Sequence, residues 1–206
     1  MNIEQYRVDV PAGESGDWRV DRFEITEQEE AFQRLRCAIN SQRPTRVAPA
    51  GVYTRLSRNG TVVMTDTPDE LTDHRLAIYK ANGHCLVGGL GLGMVASLML
   101  AKDEVEKVTI IELSEDVIKL VGSHLETHHG SRLELIQADV LAWKPPKGAF
   151  YDVVWMDIWD NICEDNLAEM GTLNRRYARK SGWKGCWQQE GCIGQRERVN
   201  SGRGWY

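Results

Sequence analysis

The stretch 84–93 constrains the fold more than any other part of the chain. A short apolar run closes on glycines at alternating positions, and a helical pattern begins at Met94. Glycine is needed in such a turn because the backbone must adopt positive φ and must let a ligand approach without meeting a Cβ atom. The sequence therefore predicts a strand, a tight turn and a helix that together form a nucleotide site.

Acidic residues close the strand candidates that follow this turn. Helical patterns alternate with four strand candidates, at 84–88, 107–112, 132–137 and 151–157. Such alternation predicts an α/β fold with a parallel sheet and right-handed crossovers. Ligands of open α/β sheets bind at the carboxyl ends of the strands. The residues predicted to meet there are Gly89, Gly91, Gly93, Glu112, Asp139 and Asp157.

These acids have a functional and a structural interpretation. A carboxylate in the position of Glu112 can accept hydrogen bonds from both hydroxyls of a ribose. Each acid taken alone is equally well explained as a helix N-cap. The glycine turn and the three acids make four ligand-type positions on one edge of the sheet, and together they favour the functional interpretation.

The first 66 residues predict a strand, helix and hairpin appendage. Weak alternation in 1–25 indicates two strands, and Thr26 to Glu29 forms a capping box that starts a helix ending by Pro44. Asn59-Gly60 between two β-rich runs indicates a hairpin. A second capping box, Thr67 to Glu70, predicts the helix that leads into the core of 67–162.

The last part of the chain, 163–206, predicts one helix at about 164–180 and then a basic tail. No convincing strand follows Asp157, so the sheet is expected to be truncated after four strands. The open edge of strand four would need covering, which favours a homodimer. Trp183 and Trp187 in the tail can stack on nucleic-acid bases, or the tail is a solvated or oligomer-contacting segment.

Composition bears on the partners and the cellular compartment of the protein. The net charge of −5 gives no overall attraction to nucleic acid or to anionic membranes. Five cysteines without a C-x-x-C pair favour reduced thiols in the cytoplasm. The N-terminus lacks the features of a secretion signal, and the longest apolar stretch is too short for a membrane span. No metal site is expected at the histidines His124, His128 and His129.

Asp157 and Asp160 are the candidates for proton transfer. Both can face one cleft, and a like-charge pair raises the pKa of one member, which would suit a base acting on an amine. Trp159 between them either stacks on a cation or is a core aromatic. His74 is a further candidate on the substrate side, although a histidine that caps a helix or lies at the surface is more common.

The segment from about 84 to 161 resembles the S-adenosylmethionine-binding half of class I methyltransferases. It is more closely similar to the spermidine-synthase-like branch, including short members that occur in phage genomes. Upstream, Asp69-Glu70 and His74 are similar to the D-E-x-x-Y-H-E segment of spermidine synthases. The core residues that carry the resemblance are the glycine run 89–93, Glu112 and Leu113, the pair Ala138-Asp139, and the D-x-x-D spacing of Asp157 and Asp160.

The resemblance implies a Rossmann-like methyltransferase sheet and a role for each matched position. Glu112 would hold the ribose, Asp139 the adenine amino group, and the glycine turn the methionine part. Leu113 and Val140 would belong to the same cofactor site, and Asp157 and Asp160 would face the acceptor. The chain departs from spermidine synthases at Leu92, where they carry an aspartate, and at Asn161, where they carry a proline.

The expected function is therefore transfer of a methyl or aminopropyl group from S-adenosylmethionine or its decarboxylated form. The acceptor would be a small or polymer-linked nucleophile. Two alternatives stay open at this point. One is a non-catalytic module that binds S-adenosylmethionine or a nucleotide and associates with nucleic acid, and the other is cofactor breakdown without an acceptor.

Overall fold

A computed structural model describes residues 7–39 and 47–201. Two sheets and seven α-helices make up this part of the chain. The strands are β1 (Gly13–Ser15), β2 (Trp18–Ile25), β3 (Gly51–Arg58), β4 (Thr61–Thr65), β5 (Gly83–Gly88), β6 (Val105–Glu112), β7 (Leu133–Gln137), β8 (Tyr151–Met156) and β9 (Ser181–Cys186). The helices are α1 (Glu27–Ile39), α2 (Pro68–Lys80), α3 (Met94–Leu100), α4 (Glu115–Val117), α5 (Ser123–His129), α6 (Asn166–Tyr177) and α7 (Gln189–Asn200), with a π-helical turn (Ile118–Gly122) joining α4 to α5.

The N-terminal sheet is an antiparallel meander in the order β1-β2-β3-β4. Its β3–β4 hairpin is confirmed, because Asn59 and Gly60 both adopt the positive φ that a two-residue turn requires. The capping box of α1 is also confirmed: the Thr26 N–H donates to Glu29 Oε2 at 2.8 Å, and the Glu29 N–H donates to Thr26 Oγ1 at 3.2 Å. The predicted helix end at Pro44 lies outside the described residues.

The second predicted capping box, at the start of α2, is wrong. Thr67 makes no side-chain capping bond, and its Oγ1 lies 2.9 Å from the Oγ1 of Thr65. Glu70 turns instead towards the imidazole of His74, one helical turn further on. Proline at the first position still starts the helix, since its missing N–H would have had no partner there.

The second sheet is parallel throughout, in the order β7-β6-β5-β8-β9. Its first four strands match the predicted ones to within two residues. The expected end of the sheet after four strands is wrong, because β9 pairs with β8 and covers its edge. The open edge of strand four is therefore no argument for a homodimer, and the dimer stays a prediction without this support.

Strand β9 escaped prediction because its sequence, Ser-Gly-Trp-Lys-Gly-Cys, has two glycines and little strand propensity. Its glycines lie against neighbouring groups instead of solvent. A Cβ at Gly182 would lie 2.9 Å from the carbonyl oxygen of Asp152, and one at Gly185 would lie 3.0 Å from the ring of Trp155. The ring of Trp183 stacks on that of Trp155, with centroids 6.2 Å apart and planes 13° from parallel. Tertiary packing, which local sequence does not display, stabilises this strand.

Two apolar clusters cover the two faces of the parallel sheet. The larger one also takes in residues of the N-terminal sheet, such as Val20 and Leu56, so the two sheets share a core. Helix α1 lies outside it: none of its residues is buried, and Phe32, Leu35 and Ile39 are exposed. None of the helices in the described part of the chain is long and apolar enough to cross a membrane.

Candidate functional site

The carboxyl ends of the parallel strands meet where the strand order reverses. From β5 the chain proceeds to β6 and β7 on one side, and later to β8 and β9 on the other. Backbone hydrogen bonds continue past the strand ends, from the Gly89 N–H to the Ile111 carbonyl and from the Asp157 N–H to the Gly88 carbonyl, both at 2.8 Å. A cavity of about 820 Å³ opens at this reversal point, which is the ligand position of open α/β sheets.

The glycine turn forms part of the cavity wall. Gly89, Gly91 and Gly93 have φ values of 92°, 52° and 74°, which side-chain-bearing residues rarely adopt. A Cβ at Gly89 would collide with the carbonyl oxygen of Asp157. Gly89 and Gly91 line the cavity, whereas Gly93 lies behind the turn, where Leu125 packs against it. The sequence predicted that all three glycines contact the cofactor.

Glu112 lies on the cavity wall at the end of β6. Its Oε2 accepts a hydrogen bond from the Leu90 N–H at 2.8 Å, and its Oε1 accepts one from the Ser114 N–H at 2.7 Å. A carboxylate oxygen has two acceptor sites, so each oxygen keeps one for a ligand. The side chain is thus fixed against the glycine turn and can receive a pair of hydroxyl groups. Leu113 beside it is exposed and also lines the cavity.

Asp139 follows β7 and is exposed at the cavity. Its Oδ1 accepts from the Leu141 N–H at 2.8 Å, which leaves Oδ2 for a ligand. The loop is held from below by Arg176, whose Nη1 donates to the carbonyls of Val140 at 2.6 Å and Trp143 at 2.8 Å. Val140 is buried and lines the cavity. Arg176, on α6, therefore braces the loop that was predicted to hold the adenine.

Asp157 lies at the end of β8 on the cavity floor, with 20% of its side chain exposed. Burial raises the pKa of this carboxyl to about 6, His74 opposes the rise, and the carboxylates of Glu70, Asp73 and Asp160 add to it. The predicted rise is present, but its main cause is burial and not the charge of Asp160. Such a pKa suits a group that accepts a proton near neutral pH.

His74 lies beneath Asp157 and is completely buried, so it does not line the cavity. Its Nδ1 accepts a hydrogen bond from the Trp155 indole N–H at 3.2 Å. Its Nε2 lies 3.3 Å from Glu70 Oε1 and 3.6 Å from Asp157 Oδ2. Burial lowers the pKa of His74, but the charges of Asp157, Glu70 and Asp73 outweigh it, and the net shift is upward.

Trp159 fits the core interpretation better than the stacking one. Only 9% of the residue is exposed, it packs with the apolar cluster on one face of the sheet, and its indole N–H donates to Glu169 Oε2 at 2.8 Å. One edge still reaches the cavity wall. Asp160, next in the chain, is exposed at the cavity rim.

The N-terminal sheet supplies a wall of the cavity that the sequence did not predict. Asp17, Trp18, Arg58 and Met64 line it. Met64 lies directly on the glycine turn, where its Sδ is 3.2 Å from the Leu92 N–H. The segment predicted as an appendage therefore belongs to the site. No local pattern signals a contact between two sheets. Glu70, which also lines the cavity, was predicted as part of a capping box and of the segment that resembles spermidine synthases.

The cavity lining is strongly acidic. Arg58 is the one basic side chain among the lining residues that the structure describes. Carboxylates from both sheets and from the loops between strands and helices surround the cavity. They are Asp17, Glu70, Glu112, Glu115, Asp116, Asp139, Asp157, Asp160 and Glu169.

No protein-family profile matches the sequence, and no curated protein matches it. Several solved structures are similar. Spermidine synthase from Thermotoga maritima is 20% identical with a TM-score of 0.44, over 82% of this chain and 52% of that one. The CcbJ methyltransferase from Streptomyces caelestis is 17% identical with a TM-score of 0.42, over 53% and 45%. The 23S rRNA methyltransferase ErmE is 18% identical with a TM-score of 0.43, over 55% and 43%.

In each of these pairs the chain spans less than two thirds of the solved protein. The five parallel strands, the helices around them and the cavity at the strand ends agree with the fold class predicted from the sequence. The chain thus has a Rossmann-like α/β fold, with a second, antiparallel sheet forming one wall of the cavity at the strand ends.

Proposed function

We propose that the protein is a transferase that uses S-adenosylmethionine, or its decarboxylated form, and passes a methyl or aminopropyl group to an amine. The observation that carries this proposal is the placement of Glu112. Its carboxylate is locked to the glycine turn by two backbone N–H groups and faces the cavity with acceptor sites to spare. That arrangement suits the two hydroxyls of a ribose beside a turn that admits the rest of the donor.

The charge of the lining supports a cationic ligand. The donor carries a sulfonium and an ammonium group, and an amine acceptor is also cationic before it reacts. Nine carboxylates around one cavity attract such molecules and repel the phosphates of NAD or ATP. A polyanionic acceptor such as RNA would meet the same repulsion, so the proposal favours a small amine over a nucleic acid.

The reaction needs positioning and one proton acceptor. The acceptor nitrogen attacks the carbon bound to the sulfonium, the carbon–sulfur bond breaks, and its electron pair neutralises the sulfur. An amine must first lose a proton, and the Asp157 carboxylate on the cavity floor is placed to accept it. His74 does not touch the cavity and positions Asp157 from below.

Calorimetry tests donor binding. Wild-type protein is titrated with S-adenosylmethionine, its decarboxylated form, NAD and ATP, and only the first two are expected to bind. Glu112→Ala should weaken donor binding by about 1–3 kcal/mol, because charge-assisted hydrogen bonds are lost. Glu126→Ala, an exposed glutamate on α5, is the matched control and should bind like the wild type. Preferential binding of NAD or ATP would reject the proposal.

Turnover is tested by product formation from the donor across a panel of amines. Asp157→Asn should abolish transfer while donor affinity stays within a few-fold of wild type. Tight donor binding without consumption in any mixture would favour the non-catalytic module instead. Donor breakdown in the protein's presence alone would indicate the reaction without an acceptor.

The second candidate, a nucleic-acid-associated module, loses part of its basis. Trp183 stacks on Trp155, and Trp187 is partly buried against both apolar clusters, so neither of the two predicted stacking residues is fully exposed. A mobility shift of a labelled RNA or DNA that weakens with salt would revive this candidate.

A further inference from the structure

Away from the cavity, the fold brings together three side chains that can bind a metal ion. His124 and His128 lie one turn apart on α5, with ring centroids 4.2 Å apart. The carboxylate of Asp9, from the segment before β1, lies beside them. One ligand atom from each of the three residues lies within 4.8 Å of the other two. Metal–nitrogen and metal–oxygen bonds are about 2.0–2.2 Å long, so two ligands of one ion lie at most about 4.4 Å apart, and small side-chain rotations would bring these atoms to that separation.

A hydrogen bond of His128 leaves one ring nitrogen with a lone pair for a metal ion. Its Nδ1 lies 2.8 Å from the carbonyl oxygen of His124, which can only accept a hydrogen bond. The proton of the neutral ring is therefore on Nδ1, and the lone pair is on Nε2. Histidines that bind metals generally donate their second ring nitrogen to a carbonyl or a carboxylate in this way.

Asp9 is held in place by its neighbours on both sides. The Val8 N–H donates to Asp66 Oδ2 at 3.1 Å. Val10 is buried in the core shared by the two sheets, and its carbonyl accepts from Arg22 Nη2 at 3.0 Å. The carboxylate of Asp9, itself exposed, thus projects from an anchored backbone towards α5. Because the backbone around Asp9 is already ordered, the entropic cost of ordering the chain on metal binding would be small.

We propose that Asp9, His124 and His128 form a binding site for a divalent transition-metal ion of the zinc type, with water completing the coordination. Two imidazoles and one carboxylate suit Zn²⁺ or Co²⁺, whereas Mg²⁺ and Ca²⁺ prefer oxygen ligands throughout. The sequence predicted no metal at these histidines, which lie in a polar helix end and loop. The third ligand comes from a distant segment that only the fold brings to α5.

The bound ion would connect the N-terminal segment to the core of the molecule. Leu125, between the two histidines, packs against Gly93 behind the glycine turn. The ion would therefore link the segment before β1 to the helix that supports that turn. The neighbouring His129 takes no part, because its Nε2 lies 3.3 Å from Ser97 Oγ.

The test uses the full chain after removal of metal with a chelator. Zn²⁺ binding is measured by calorimetry, and the ligand type is identified from the absorption spectrum of the Co²⁺ form. One ion per chain is expected, with an increase in melting temperature. Asp9→Asn and His128→Gln should each weaken binding about tenfold or more, by loss of a direct ligand. His129→Gln changes a histidine of the same helix and should bind like the wild type.

Three results would overturn the proposal. One is wild-type binding no tighter than that of the double variant Asp9→Asn, His128→Gln. Another is a loss of binding in His129→Gln as large as in His128→Gln. The third is a thiolate charge-transfer band in the Co²⁺ spectrum, which would assign the ion to cysteines. Because His128 and Asp9 are exposed, their variants are expected to fold, and circular dichroism verifies this.

Discussion

The indole N–H of Trp155 and Nδ1 of His74 are 3.2 Å apart, and this hydrogen bond determines which nitrogen of the buried imidazole carries the proton. An indole nitrogen can only donate, so Nδ1 must accept, and the neutral ring is protonated at Nε2. That N–H faces the carboxylates of Glu70 and Asp157. Trp155, a buried residue on β8, thus keeps the proton of the neutral His74 ring on the nitrogen that faces Asp157.

The first prediction concerns this indole. Trp155→Phe removes the donor and leaves the buried Nδ1 of His74 without its partner, which should lower the free energy of unfolding by about 1–3 kcal/mol beyond the loss of ring area. Trp183→Phe provides the control, since it makes the same change in the ring stacked on Trp155. Urea denaturation measures both. Equal losses in the two variants would show that the hydrogen bond contributes nothing.

The second prediction follows from the pKa of Asp157, which burial raises from 3.8 to about 6. A group whose pKa is higher in the folded protein favours folding when protonated. Its contribution is fully present below about pH 4 and is lost as the pH rises through about 6. Asp157→Asn keeps a neutral side chain, so it should be more stable than wild type by about 1–3 kcal/mol above about pH 7.

Urea midpoints at several pH values check this, and the gain of Asp157→Asn should disappear towards about pH 4. Asp160→Asn is the control, because the same change at the exposed rim should alter stability by less than about 0.5 kcal/mol. A gain for Asp157→Asn that is the same at every pH would mean that ionisation of Asp157 is not its cause.

Four of the five parallel strands could be predicted because their signals are local. Apolar runs, glycine at positive φ and acids at strand ends are properties of short segments, and they located Gly89, Gly91, Glu112, Asp139 and Asp157 at one cavity. The capping box at Thr26 was equally local, and both of its hydrogen bonds are present.

Features that depend on contacts between distant segments could not be predicted. Strand β9 has weak strand propensity. It forms because it pairs with the edge of β8 and because Trp183 stacks on Trp155. Met64 reaches the glycine turn only because the two sheets share a core. The like-charge pair of Asp157 and Asp160, which is visible in the sequence, was expected to raise the pKa of one member. The pKa of Asp157 is raised mainly by burial, which the sequence does not display.

The third prediction concerns the choice between the two donor forms and rests on the proposed function. Arg58 is the one basic residue lining the described cavity, and its guanidinium lies 5.4 Å from the centre of the Trp18 ring. The carboxylate of S-adenosylmethionine needs a cationic partner, whereas the decarboxylated form does not. Arg58→Gln should therefore weaken binding of S-adenosylmethionine about tenfold, or about 1.4 kcal/mol, and leave the decarboxylated form unaffected.

Calorimetry with both donor forms measures this difference. Arg34→Gln, which removes an exposed arginine on α1 that pairs with Glu30, controls for the change in net charge. If Arg58→Gln alters both affinities equally, Arg58 does not recognise the carboxylate. If wild-type protein binds only the decarboxylated form, aminopropyl transfer becomes the reaction to assay.

The last prediction separates two reasons for glycine at the turn. Gly89 and Gly148 both have positive φ, at 92° and 82°, but a Cβ at Gly148 meets nothing within 4 Å, whereas one at Gly89 collides with the carbonyl oxygen of Asp157. Gly148→Ala should cost about 1–2 kcal/mol, from backbone conformation alone. Gly89→Ala should cost about 3 kcal/mol or more, because the backbone at the end of β8 must also move. Urea denaturation compares the two, and equal costs would mean that the strand ends separate easily. Such a site would not be rigid enough to hold Glu112 and Asp157 in fixed positions around a donor.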